Sequence, residues 1–149
     1  MGTNKPPRFL RGPKGVSLLL QNLEVQARFP GFRFRMHGDL GVWRGALSPR
    51  PSSPDFHVEV RYRTHGIPRV RLLRPALRPD ARHVYKGGYL CLYWPEEDPW
   101  TPDKLLATFI FPLVWSWLGY YELWLETGKW FGPESPHLSS TVPSEEEAA

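Results

Sequence analysis

The chain holds one cysteine, Cys91, in the run Gly87-Gly88-Tyr89-Leu90-Cys91-Leu92-Tyr93, and His83 stands eight residues ahead of it. A single thiol forms no intramolecular disulfide and cannot hold a metal alone, so Cys91 is either an inert core residue or a nucleophile. As a nucleophile it would take an acyl group as a thioester, which splits one difficult transfer into two easier steps. A free thiol with a pKa near ~8.5 is only slightly ionised at neutral pH. Arg78, Arg82 and Lys86 lie close by in sequence and could supply a field that favours the thiolate. Aminolysis of a thioester passes through an oxyanion, and one well-placed donor at that oxygen is worth roughly 3–4 kcal/mol. His83 can donate from its ring in either protonation state, or act as a base toward the attacking amine. The competing readings are a buried, apolar-like cysteine and a loop histidine satisfied by backbone.

Around this pair, Gly87 and Gly88 let the chain turn. Tyr85, Tyr89 and Tyr93 can line a site for an extended peptide tail or pack into the core. His137 can approach from the C-terminal segment, at a distance that spacing does not define. Glu96, Glu97 and Asp98 form an acidic run that can steer an amine or simply face solvent. Cys91 with His83 or His137 would also suit a cysteine hydrolase, although no strained elbow or helix start accompanies the thiol. In a non-catalytic binding module, Cys91 would be incidental.

The elements that must hold these residues follow from periodicity. Apolar residues at 16, 19, 20, 23 and 27 predict a helix over Val16 to Phe29, stopped by Pro30-Gly31. The period then changes to two. Phe32, Phe34 and Met36 alternate with arginines, as do Val70 and Leu72, and Phe56, Val58, Val60 and Tyr62 alternate with His57, Glu59 and Arg61. With Leu40 to Leu47, these runs predict four consecutive strands in an antiparallel meander, its arginines mostly on the outer face. Pro75 to Tyr93 lacks a period and reads as an ordered loop, where chemistry tends to sit. Thr101-Pro102 reads as a helix start, Pro112 as a break into a leading piece and a main helix, and Thr127-Gly128 as the stop. The aromatic block at 115–130 reads as core, and Glu122 within it needs a partner, expected to be an arginine of the sheet.

At 149 residues the chain has the length of one domain. Residues 1–14 read as a flexible basic arm and residues 132–149 as a mostly disordered acidic tail. Residues 1–90 carry seventeen Lys/Arg against five Asp/Glu, and residues 91–149 two against ten, a net of +12 followed by −8. Such a basic half can attract nucleic acid or an acidic protein. No nucleic-acid signature accompanies it, and solvated strand faces account for the charge, so nucleic acid is not the favoured partner. One cysteine and no N-terminal apolar run point to a cytoplasmic protein. Leu105 to Tyr121 is apolar but short for a membrane span and interrupted by proline, so it is expected to be a buried helix.

The order helix, four-strand meander, cysteine loop and helices resembles the ubiquitin-conjugating (UBC) fold, an α+β architecture. Those enzymes carry His-Pro-Asn, then Gly-x-hydrophobic-Cys-Leu, with the Asn eight positions before the cysteine; here Gly88 and Leu90 match, and His83 takes the Asn position. A closer resemblance is to the ubiquitin-conjugating-like proteins of bacterial CBASS antiphage operons, of the short kind without a separate activating enzyme. It rests on His83-Val84-Tyr85, Leu90-Cys91-Leu92-Tyr93, Pro95, Trp100, Trp117-Leu118, Tyr121-Glu122-Leu123-Trp124-Leu125, Thr127-Gly128-Lys129-Trp130, Gly132 and His137. The resemblance implies a catalytic UBC-like domain over 15–131 that uses Cys91 and His83, with Tyr85, Gly88, Tyr89, Tyr93 and His137 toward the substrate. It implies no metal or other cofactor. The implied acyl donor is the C-terminus of a cGAS-like nucleotidyltransferase, passed to an amine of a target protein. The alternative setting is a bacterial ubiquitin-like pathway with its own modifier.

Overall fold

The computed structural model describes residues 15–133. His137 and the two proposed tails, apart from Gly132 and Pro133, lie outside the described residues. Helix α1 spans Leu18–Arg28, and its first turn is capped by the Ser17 hydroxyl, which accepts from the Leu20 N–H at 3.2 Å. Strands β1 (Arg33–His37), β2 (Leu40–Leu47), β3 (Phe56–Arg63) and β4 (Arg69–Arg74) form one antiparallel sheet in chain order. The expected meander is therefore present.

Register places Trp43 opposite Val60, and Val60 opposite Val70, on one face. That face is the core, where Trp43, Phe56, Val58, Val60, Tyr62 and Val70 are all buried. On the opposite face Arg33 pairs with Arg44, Arg44 with Glu59 and Glu59 with Arg71. The arginines thus line the outer side, as the alternation predicts.

Helix α2, Leu106–Thr127, completes the core with Leu106, Ile110, Phe111, Val114, Trp117, Leu118 and Tyr121. Its start and continuity differ from the expectation. The helix begins five residues after Thr101, and Leu105 offers no side-chain cap. The cap comes instead from α1, where the fully buried Gln21 accepts from the Leu106 N–H at 2.9 Å and donates to the Lys104 carbonyl at 2.8 Å. Pro112 does not divide the helix. It is exposed, and Thr108, whose carbonyl the proline leaves without its N–H donor, is exposed too, so water can serve that oxygen. Gly128 ends α2 with a left-handed backbone, φ 74°, and donates to the Trp124 carbonyl.

Glu122 is buried, but its partners are Arg50 at 3.1 Å and the Ser53 hydroxyl, both in the β2–β3 connection rather than in the sheet. That connection crosses to α2, whereas the strand arginines point away from it. Among the described residues, no helix is long and apolar enough to cross a membrane.

Candidate functional site

The segment read as an aperiodic loop contains a small hairpin docked on the sheet. Val84 bridges Leu90, Arg71 bridges Tyr89, and the Leu90 N–H donates to the Val70 carbonyl at 2.8 Å. The turn closes through Tyr85 N–H to Tyr89 carbonyl at 2.7 Å and Gly88 N–H to Tyr85 carbonyl at 3.0 Å. Gly87 and Gly88, with φ 93° and 85°, occupy backbone that other residues rarely adopt. The double glycine is therefore a requirement of this turn.

Cys91 leaves the hairpin half-buried, and its sulfur lies 3.3 Å from the Tyr85 hydroxyl. Burial pushes the thiol pKa up, and the hydrogen bond with Tyr85 pulls it down without cancelling the rise. The expected cationic field does not form at the sulfur. Arg78 is forked onto Asp80 at 3.0 and 2.7 Å with its guanidinium over Trp124, Arg82 and Lys86 are exposed, and none of the three lines the groove described below.

His83 is held by its backbone. Its carbonyl accepts from the Cys91 N–H at 2.9 Å and from the Trp117 indole at 3.2 Å, while its ring lies against Trp130 with centroids 4.6 Å apart. Its φ of 57° is left-handed, a conformation in which Asn, Asp and His are enriched among non-glycine residues. This gives a physical reason why histidine can stand where the UBC resemblance expects asparagine.

His83, Cys91 and Tyr93 form one wall of an open groove of about 510 Å3. Thr108, Phe109, Pro112, Leu113, Ser116, Trp117 and Tyr120 of α2 form another, with Trp130 beside His83 and Glu97 and Asp98 also at the groove. The Tyr93 ring meets Phe109 edge-on at 5.4 Å. Burial holds its phenol pKa above the ordinary range; a backbone hydrogen bond from Trp100 opposes this, and the nearby Cys91 sulfur adds to it. Asp98 is engaged by Lys104 at 2.7 Å.

The other predicted site residues among those described do not line this groove, although the Tyr85 hydroxyl reaches the Cys91 sulfur. Tyr85 and Gly88 line a second recess, with Leu77, Arg78 and Lys86. Tyr89 is stacked beneath the guanidinium groups of Arg69 and Arg71, at 4.7 and 5.4 Å. The α2 wall was not among the sequence candidates, although a signal for it exists. Thr108, Pro112 and Ser116 recur every four residues in an otherwise apolar run, and such a stripe shares one helix face. Among the described residues, no group of three or more His, Cys, Asp or Glu side chains converges to hold a metal ion.

Taken together, these features define an α+β domain with a single thiol set in the wall of an aromatic groove. The chain belongs to the family of type II CBASS E2 proteins, whose sequence profile matches residues 21–138. Membership gives it an E2-like role in CBASS antiphage defence. Among curated proteins none matches the chain.

Proposed function

We propose that this chain is a conjugating acyl carrier that works through Cys91. The thiolate attacks the carbonyl carbon of an activated protein carboxyl terminus, an acyl adenylate or a thioester on another protein. The C–S bond forms, and AMP or the donor thiol leaves. A target amine then attacks the same carbon, the C–S electron pair returns to sulfur, and the amine gives up a proton to a base. His83 serves the oxyanion of this second step. The donor that the resemblance implies is the C-terminus of a cGAS-like nucleotidyltransferase, and the reaction belongs in the cytoplasm.

One observation carries the reading: the only thiol of the chain stands in the wall of an open, aromatic-lined groove of about 510 Å3, beside a histidine anchored through its backbone. The experiment combines the full chain with an activated donor and follows adducts on non-reducing gels. A thiol-sensitive adduct is expected, which Cys91→Ala abolishes and Cys91→Ser converts to a thiol-resistant ester. An adduct that survives Cys91→Ala overturns the proposal, and release of the acyl group to water instead of to an added amine identifies a hydrolase. His83→Ala should slow transfer more than loading; equal loss of both steps removes the oxyanion role.

A further inference from the structure

We propose that Tyr85 is a catalytic residue of this site, its hydroxyl donating a hydrogen bond to the Cys91 sulfur when that sulfur attacks the acyl donor and again when it is expelled. The inference rests on the acyl-carrier reading and deepens it, because the sulfur has two demanding moments in that chemistry. It must carry negative charge to attack, and it must accept the C–S electron pair when the amine displaces it. A thiol that is hard to ionise is a poor leaving group, since departure slows as the leaving thiol's pKa rises.

The surroundings of the sulfur make this acute. From its own loop, His83 and Tyr93 share the groove with it; from the other walls come Tyr120, Glu97 and Asp98. Two of these are carboxylates, of which Asp98 is paired with Lys104, and two are phenols, while the cations Arg78 and Lys86 border the recess on which Tyr85 and Gly88 lie. Against that background the sulfur's hydrogen-bond partner is the Tyr85 hydroxyl at 3.3 Å.

The contact is built into the backbone. Tyr85 is the first residue of the tight turn and Cys91 follows the Val84–Leu90 bridge, so both side chains leave one hairpin pinned to β4. The hydroxyl can rotate, accepting from the S–H in the resting thiol and donating to the thiolate. No proton is transferred: the tyrosine keeps its hydrogen throughout, and the S–H proton leaves to solvent or to a base.

Because Cys91 is the only cysteine, alkylation by iodoacetamide reports this sulfur alone. Alkylation rate against pH, measured on the full chain and on Tyr85→Phe, tests the proposal without any conjugation partner. The expected result is a profile displaced to higher pH in Tyr85→Phe, with a rate at neutral pH lower by roughly tenfold, the scale of one hydrogen bond to a charged group. Replacing Tyr85 with 4-aminophenylalanine, a weaker donor of nearly the same shape that stays neutral across the titration, should displace the profile to higher pH by less than Tyr85→Phe does, and it covers the case in which the phenylalanine variant fails to fold. An unchanged profile in the folded Tyr85→Phe protein, or displacement in the opposite sense by either variant, overturns the proposal. Failure of adduct formation with these displacements intact would instead count against the acyl-carrier reading.

Discussion

Two acids of this protein are withdrawn from water on opposite sides of the sheet, and they answer burial in opposite ways. On the outer face, burial pushes the Glu59 carboxyl pKa up, but hydrogen bonds and charge from Arg71 and Arg44 more than reverse it, and the pKa ends below the ordinary carboxylate range. Arg71 donates at 3.0 Å and Arg44 through Nε at 2.8 Å, while Arg61 stands at 3.7 Å. In the groove, burial pushes Cys91 up and only the neutral Tyr85 opposes it, so the thiol stays above its usual value. The basic half of the chain is the same in both cases. What differs is placement, because strand alternation sends the arginines to the face without the thiol.

That contrast can be broken most strongly at Glu59. Glu59→Gln keeps the shape but leaves three guanidinium groups around a neutral amide, and it should cost about 2–3 kcal/mol of stability at neutral pH. The cost should also depend on pH in a defined direction. A carboxyl whose folded pKa is depressed contributes stability above its unfolded value of about 4.3. That contribution is lost as pH falls through the lower folded value, so urea denaturation of wild type and variant should converge in acid and diverge at neutral pH.

Gln21→Leu comes next. It removes the two hydrogen bonds that tie α1 to the start of α2, leaving the Leu106 N–H and the Lys104 carbonyl without this partner, and denaturation should show a loss of about 1–3 kcal/mol. A smaller effect is expected at the thiol. Ser116→Lys puts a cation on the α2 wall of the groove, and the pH profile of Cys91 alkylation should move toward lower pH, with a few-fold faster reaction at neutral pH. The smallest is Arg61→Ala, which removes the most distant of the three Glu59 partners and should cost about 1 kcal/mol or less.

How much of this was legible in the sequence depended on the range of the interactions. The meander could be read because each strand writes its two faces into alternate residues, most plainly from Phe56 to Tyr62. The C-terminal limit of α2 could be read from Gly128, since a left-handed stop is local chemistry. Its start could not. Thr101-Pro102 has the composition of a cap, whereas the cap in place is Gln21, eighty-five residues from Leu106. Pro112 misled in the same way, because its cost depends on whether water reaches the Thr108 carbonyl, and no window of sequence contains that information.

At the site, the spacing of His83 and Cys91 was legible and the contact between Tyr85 and Cys91 was not. The latter required the Val84–Leu90 bridge, which the irregular composition of residues 75–93 conceals. The basic neighbours of Cys91 were legible as residues and misleading as a field, since proximity along the chain is not proximity to the sulfur.

The most direct test of the central claim is peptide-level mass spectrometry of the full chain after incubation with an activated carboxyl-terminal donor. The donor's terminal acyl group is expected on Cys91, removable by hydroxylamine and displaced to the nitrogen of an added amine. Donor mass attached elsewhere, or an unmodified Cys91 under conditions in which the donor is consumed, would contradict it.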